Sequence, residues 1–452
     1  MNYRAISPLD GRYATKLPKH GDYFSEMALM RWRCTTELYY VLALDETGLF
    51  PKLTAEEKTR IQNCIDHFTE KDYLQIKAIE SVIQHDVKAC EMFLRKRTNL
   101  ANDYLLHFAL TSEDVNNLAY TFMLKSYWRE VQMPQIKALI EKLMNLASAW
   151  KSIPFPCRTH GQKASPSTAG KEVAVFINRI LNIYKELKPF RFSGKLNGAV
   201  GNYSAMLAAF PQYDWLSFSH HFLEKQGLEP NIATTQIEDH DTWAKYFNLC
   251  RQLNNICIDL DLDCWLYISK DLFSEQSKEG EVGSSTMPHK VNPINFENSE
   301  GNLLFANSVL GMLADKLCRS RMQRDLSDST VQRNMGVALA HSYLGLAETL
   351  RGLNKLQINK QSCLLELKHS PELLAEPIQT ILKTAGIADP YTLLKKATRG
   401  QKPTREELLT LVDRLALPPV LINRIHSLAP ETYIGEAVRI CDLVLARAKE
   451  IL

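Results

Sequence analysis

The chain has 452 residues, too many for one small core, so two or three domains of ordinary size are expected. Its 45% hydrophobic and 23% charged content excludes a disordered chain. A formal net charge of +3 gives no reason to expect binding to nucleic acid or a membrane surface through bulk charge.

Residues 1–21 lack the apolar core of a secretory signal, and no stretch approaches the ~18 uninterrupted apolar residues of a membrane span. Residues 1–110 break into short helical pieces around Pro8, Gly11, Pro18, Gly21, Gly48 and Pro51. From about Asp114 to Trp150 a long amphipathic pattern follows, with its later seam on Ile136, Leu139, Leu143, Leu146 and Trp150 and a kink expected at Pro134. Further helical patterns cover about 167–187, 243–273, 295–316 and 336–356. The clearest is 243–273, where Trp243, Tyr246, Cys250, Leu253, Cys257, Leu260, Cys264 and Tyr267 recur in steps of three and four, with Asp259, Asp261 and Asp263 off the seam. Strand signals are scarce. The expected fold class is all-α, a three-part helical protein: a helical head at 1–110, a central bundle of long helices at 111–362, and a helical tail at 363–452. Seams this long fit either an intramolecular core or packing between subunits.

The ten cysteines form no CxxC pair, and Cys250, Cys257 and Cys264 share a helix face, so reduced cytoplasmic thiols acting as small core hydrophobes are expected.

Five polar segments exceed what such a fold requires. The first, 274–292 (SEQSKEGEVGSSTMPHKVN), crowds Ser284, Ser285, Thr286, His289, Lys290 and Asn292 between glycines and prolines, as a lid over an anion would; the bland alternative is a solvated connector. The second, 158–171 (RTHGQKASPSTAGK), carries His160, with Ser167 and Thr168 as capping oxygens. The third is Gln84–His85–Asp86 with Lys88 and Glu91. In the fourth, 110–117 (LTSEDVNN), Thr111 or Ser112 caps the following rod, and capping alone would explain the pattern. The fifth, 319–333 (RSRMQRDLSDSTVQR), places Arg319, Arg321, Arg324 and Arg333 beside Ser329 and Thr330, a phosphate-binding composition or a solvated basic face. Metal-ligand spacing, GxGxxG, Walker and GxSxG patterns are all absent, so the chemistry is expected from side chains alone, with no cofactor and no metal.

The loop GSSTMPHKVNP at 283–293 resembles the signature of the aspartase/fumarase superfamily, whose members eliminate fumarate from succinyl compounds. With SPLDGRY, HDVKACE, TSEDVNN, RTHGQKASPSTAGKE, TTQIEDHD and RDLSDSTVQRN, the chain is similar to the adenylosuccinate lyase family of bacterial type. The resemblance implies a homotetramer with active sites shared between subunits, and nucleotide substrates: adenylosuccinate, giving AMP, and the succinyl-carboxamide ribonucleotide SAICAR, giving AICAR. It implies His160 as general acid, Ser284 as general base, and His85 as a second histidine in the site, placed near the phosphate or supporting the acid. Lys290 and Asn292 suit the charge developing on the succinyl group. Arg12, Tyr13, Arg324, Ser329 and Arg333, with Thr330 beside them, match the phosphate ligands. Thr111, Ser112, Gln236, Ser285, Lys290, Asn292 and Asn298 match the carboxylate and nearby contacts. Gln84 and Asp86 are further substrate-binding candidates. Gln84 stands where the family pattern has Asn, and Lys163 where it has proline. The rival readings are another fumarate-releasing lyase such as argininosuccinate lyase, or a non-catalytic scaffold of the same fold.

Overall fold

The computed structural model describes residues 4–17, 19–276, 287, 291–399 and 403–452. Of the described residues 67% are helical, and the long helices among them are Glu26–Thr47, Ser112–Tyr127, Met133–Trp150, Ala169–Leu187, Asp241–Ser269, Ile294–Leu317 and Met335–Lys355. The all-α expectation holds. Among the described residues, strands amount to four two-stranded pairs of two or three residues each.

Helix starts follow local chemistry. Ser25 Oγ accepts the Ala28 N–H at 3.1 Å. Thr54 with Glu57, and Thr69 with Asp72, form reciprocal capping boxes. Before Pro134 the rod widens into a π-helical turn at Trp128–Gln132. Proline has no N–H and its ring presses on the carbonyl four residues back, so a wider turn relieves the clash. The helix expected over 243–273 ends at Ser269 instead. Asp271 adopts φ +56, Leu272 N–H donates to Tyr267 O at 3.0 Å, and Phe273 begins a strand. That left-handed residue stops the helix, which no periodicity announces.

The chain divides into two compact units. The first comprises residues 1–136, 186–255 and 301–346. Within it, Glu26–Thr47 packs along Ser112–Tyr127, beside Glu70–Ile83 and Asp86–Thr98. Ser112–Tyr127 is buried over most of its length; its Thr121 Oγ1 accepts from Trp243 Nε1 at 3.2 Å. Trp243, Tyr246, Cys250 and Leu253 are all fully buried, as the seam requires. A parallel pair, Ser193–Gly194 with Glu229–Pro230, holds the loops around residues 195–201 and 231–240.

The second unit comprises residues 137–185, 256–300 and 347–452. Ile140, Leu143, Cys257, Leu260 and Cys264 are buried in it. Asp261, off the seam by sequence, is nevertheless 1% exposed: its Oδ2 accepts from Thr349 Oγ1 at 3.1 Å, and Thr349 in turn meets Ser299 Oγ at 2.8 Å. A Cβ added at Gly170 would lie 2.4 Å from Lys151 Cα, so only glycine lets these two backbones come this close. The short C-terminal helices share a core of Leu374, Ile378, Leu382, Leu394, Leu408, Val412, Leu417 and Ile425. All ten cysteines are free thiols, and six of them, with Cys441, are buried core: Cys34, Cys90, Cys250, Cys257, Cys264 and Cys363.

Candidate active site

Three polar segments distant in sequence converge in the first unit. His85, Asp86, Ser112, Asn116, Tyr120, Arg324, Ser329, Gln332 and Arg333, with Arg33, line one cavity of about 260 Å³. Two helices begin at its wall, Asp86–Thr98 and Ser112–Tyr127, and the positive ends of their dipoles favour an anion.

The side chains form a continuous chain of alternating charge. Arg333 lies 3.8 Å from Asp86, and Asp86 lies 2.8 Å from the buried Arg33. Arg33 Nε donates to Asn116 Oδ1 at 2.9 Å, and Asn116 Nδ2 donates to Glu113 Oε1 at 2.7 Å. Glu113 then pairs with Arg324 at 2.8 Å. Burial pushes the Asp86 carboxyl up, but Arg33, the Val87 N–H and Arg333 outweigh it and hold the group below the usual carboxylate range. Arg324 also reaches Ser329 Oγ at 3.4 Å and Gln236 Oε1 at 3.5 Å. Its Nε and Asp328 Oδ2, 3.9 Å apart, are buried without a hydrogen bond among the described residues, so the guanidinium keeps a donor in reserve.

His85 is the N-cap of its helix: its Nδ1 accepts the Lys88 N–H at 3.2 Å, so a neutral ring carries its proton on Nε2. Thr111 caps the next helix, its N–H donating to Asp114 Oδ2 at 2.9 Å. Gln84 is exposed, at φ +55, and its amide donates to Ser81 O at 2.8 Å; it ends a helix. Thr330 is exposed, and its carbonyl accepts from Asn334 Nδ2. Arg12 is exposed, while Tyr13 packs on Leu17, Ala340 and Leu344. None of Gln84, Thr330, Arg12 and Tyr13 lines this cavity.

His160 belongs to the second unit, exposed at the tip of a hairpin pairing Arg158–Thr159 with Gln162–Lys163. His160 and Gly161 both have positive φ, +53 and +72, the pattern of a tight type I′ turn. The hairpin is tied down by Arg158 to Glu366, and by Lys163 Nζ donating to Ser370 Oγ at 2.7 Å. Lys163 is exposed, and an ammonium replaces the expected proline without disturbing the strand pair. Asn292 and Asn298 are half-buried in the same unit. Ser284, Ser285, Thr286, His289 and Lys290 lie outside the described residues. Among the described residues, no group of His, Cys, Asp or Glu could hold a metal ion, and no helix is long and apolar enough to cross a membrane.

Residues 11–311 match the model of a family described as Lyase, and residues 320–434 that described as Adenylosuccinate lyase C-terminal. The adenylosuccinate lyase of Haemophilus influenzae is 43% identical over 97% of this chain and 98% of its own. That of Escherichia coli K12 is 43% identical over the same shares, and that of Vibrio cholerae 44% over 97% and 98%. The chain belongs to the adenylosuccinate lyase family. It thereby belongs with carbon–nitrogen lyases of purine nucleotide biosynthesis. Two solved structures share the fold: a fumarate lyase from Mesorhizobium sp. BNC1 (TM-score 0.78, 17% identity, 95% of this chain and 97% of that one) and the 3-carboxy-cis,cis-muconate lactonizing enzyme from Pseudomonas putida (0.76, 16%, 96% and 97%). They establish the fumarase-like fold.

Sequence reading missed Arg33, Asn116 and Tyr120 as lining residues. Arg33 interrupts the apolar run MALMRWRC, and a charge inside such a run was the available signal.

Proposed function

We propose that this chain releases fumarate from adenylosuccinate, leaving AMP, and from SAICAR, leaving AICAR. The observation that carries this reading is the single cavity in which the segments HDVKACE, TSEDVNN and RDLSDSTVQRN meet. Its guanidinium forks, its serine hydroxyls and two helix N-termini suit a phosphorylated, carboxylated nucleotide.

The reaction is an elimination. A base takes the proton from the succinyl carbon beside a carboxylate, and the electrons gather in an enediolate-like dianion. They then form the fumarate double bond as the carbon–nitrogen bond breaks, and its electron pair leaves on nitrogen with a proton from the acid. Ser284 is the base, His160 the acid, and Lys290 and Asn292 stabilise the developing charge. His85, Arg324, Ser329 and Arg333 face the phosphate in this cavity, and Arg12, Tyr13 and Thr330, which do not line it, are assigned to the phosphate on sequence alone. Thr111, Ser112, Gln236, Ser285 and Asn298 hold the succinyl end, and Gln84 and Asp86 are further substrate-binding candidates. No step calls for a cofactor.

The working form is a cytoplasmic homotetramer with shared sites and a head, bundle and tail at 1–110, 111–362 and 363–452. Exposed apolar stripes on two long helices support self-association: Leu262, Trp265 and Leu266 on one, Leu304, Phe305 and Met312 on the other. Light scattering would return the mass of four chains, and a monomer would refute it. Fumarate formation from adenylosuccinate by the purified protein tests the activity itself; a protein that binds the nucleotide without releasing fumarate would leave a scaffold.

A further inference from the structure

Lys195 and Asp114 are both fully buried, each 0% exposed, and lie 3.3 Å apart. Their bonding capacity is spent on irregular backbone. Asp114 Oδ1 accepts the N–H groups of Asn197 at 3.0 Å and Gly198 at 3.2 Å, while Oδ2 accepts that of Thr111 at 2.9 Å. The Lys195 ammonium donates to the carbonyls of Gly198 at 2.9 Å and Gln236 at 2.7 Å, and its charge faces Asp114 Oδ1 at 3.3 Å. Asn117 closes the arrangement from the helix: its Oδ1 accepts the Lys195 N–H at 3.0 Å and its Nδ2 donates to Lys195 O at 3.1 Å.

Three segments are thus fastened at one dry point. The first is the start of the Ser112–Tyr127 helix, the second is the loop at 195–198, and the third is the loop carrying Gln236. Two of them present groups at the cavity: Ser112 lines it, and Gln236 Oε1 meets Arg324 at 3.5 Å. The loops need such an anchor. Gly198, Gly201 and His240 all have positive φ, so the backbone there follows no regular ladder and its buried polar groups require partners from elsewhere. A plain apolar core could pack here at no loss of stability, since replacing a buried ion pair by hydrophobic groups is often neutral or stabilising. Apolar side chains could not, however, hold two carbonyls and three N–H groups in fixed directions.

We infer that Lys195, through Asp114, is a positioning residue for substrate binding. Its ammonium fixes the Gln236 backbone while its partner fixes Thr111, so that Ser112, Gln236 and Arg324 face the nucleotide in one arrangement. This rests on the nucleotide reading of the cavity. Lys195 touches no reacting atom, so its loss acts on binding more than on chemistry.

The test uses the whole protein as wild type, Lys195→Met, and the double variant Lys195→Met/Asp114→Asn. The single variant strands a buried carboxylate and is expected to lose stability or fail to fold; the double variant removes both charges and regains it. In whichever variant folds, KM for adenylosuccinate rises on the order of 10- to 100-fold while kcat changes less, because small misplacements of binding groups have effects of that size. Amide hydrogen exchange at Thr111, Asn197 and Gly198 speeds up in the same variants. A folded double variant with wild-type KM overturns the inference, even if its stability has changed, because a merely structural pair would leave KM alone. If the wild type releases no fumarate, the functional reading fails on its own. The exchange measurement then still decides the anchor, and unchanged exchange refutes it.

Discussion

Arg324 and Glu113 meet at 2.8 Å, with side chains 17% and 3% exposed. Glu113 also accepts from Asn116, and the guanidinium that it holds reaches Ser329 Oγ and Gln236 Oε1 as well. A lysine at 324 would keep the charge and lose the planar fork. Arg324→Lys is expected to lose about 1.5–3 kcal/mol of charge-assisted hydrogen bonding, on the order of 10- to 100-fold in KM for adenylosuccinate, with a smaller change in kcat. Steady-state kinetics checks this, and an unchanged KM would remove Arg324 from the binding set.

Arg333 differs because its side chain is 52% exposed and its pairing with Asp86 is loose, at 3.8 Å. Arg333→Ala should therefore leave the unfolding free energy nearly unchanged, within about 0.5 kcal/mol. KM should rise and become less sensitive to salt, as expected on removing one cation that faces a phosphate. A large fall in kcat at unchanged KM would contradict an anchoring role.

His160 sits at an exposed hairpin tip whose φ of +53 is best tolerated by Asn among non-glycine residues. His160→Asn and His160→Gln are both expected to fold and to bind adenylosuccinate. Each loses turnover by on the order of 10²- to 10⁴-fold, the range for a displaced proton donor. Ser284→Ala should behave alike. Fumarate release measured beside equilibrium binding decides both, and near-normal turnover in either variant removes that residue from its role.

Asp261 gives a pH signature. Burial pushes its carboxyl well above the usual carboxylate range, against the hydrogen bonds from Ser299 and Thr349. The native state therefore keeps a proton that the unfolded chain gives up near pH 4, and stability falls as pH rises from there toward the native-state value. Asp261→Asn cannot titrate. Melting temperatures across pH 4 to 8 should shift in the variant's favour with rising pH, and a constant difference would show that Asp261 is ionised in the native state.

The long helices were legible because burial imposes a period. Trp243 through Cys264 are buried where the steps of three and four put them, as are Ile136, Leu139 and Leu143. The helix end at Asp271 was not, since a left-handed residue leaves no mark on hydrophobic spacing. Polar residues inside a helix were misread for a related reason. Asp261 lies off the apolar seam yet faces Thr349, and Arg33 stands in an apolar run yet reaches Asp86. A single sequence does not reveal that a second helix supplies the partner. The same blindness hid Lys195, whose role depends on Asp114 and Gln236 arriving from two other segments. For the site, the cavity gathers His85, Asp86, Ser112, Arg324, Ser329 and Arg333, which motif spacing had singled out separately. Gln84 stands where the family pattern has Asn, but it does not line the cavity, and its amide turns back to Ser81 at the end of its helix.

The most direct measurement is fumarate formation by the purified wild type given adenylosuccinate and, separately, argininosuccinate, with His160→Gln as the control. Rapid release from adenylosuccinate alone, lost in the variant, is the result expected here. Release from argininosuccinate alone, or from neither, would contradict it.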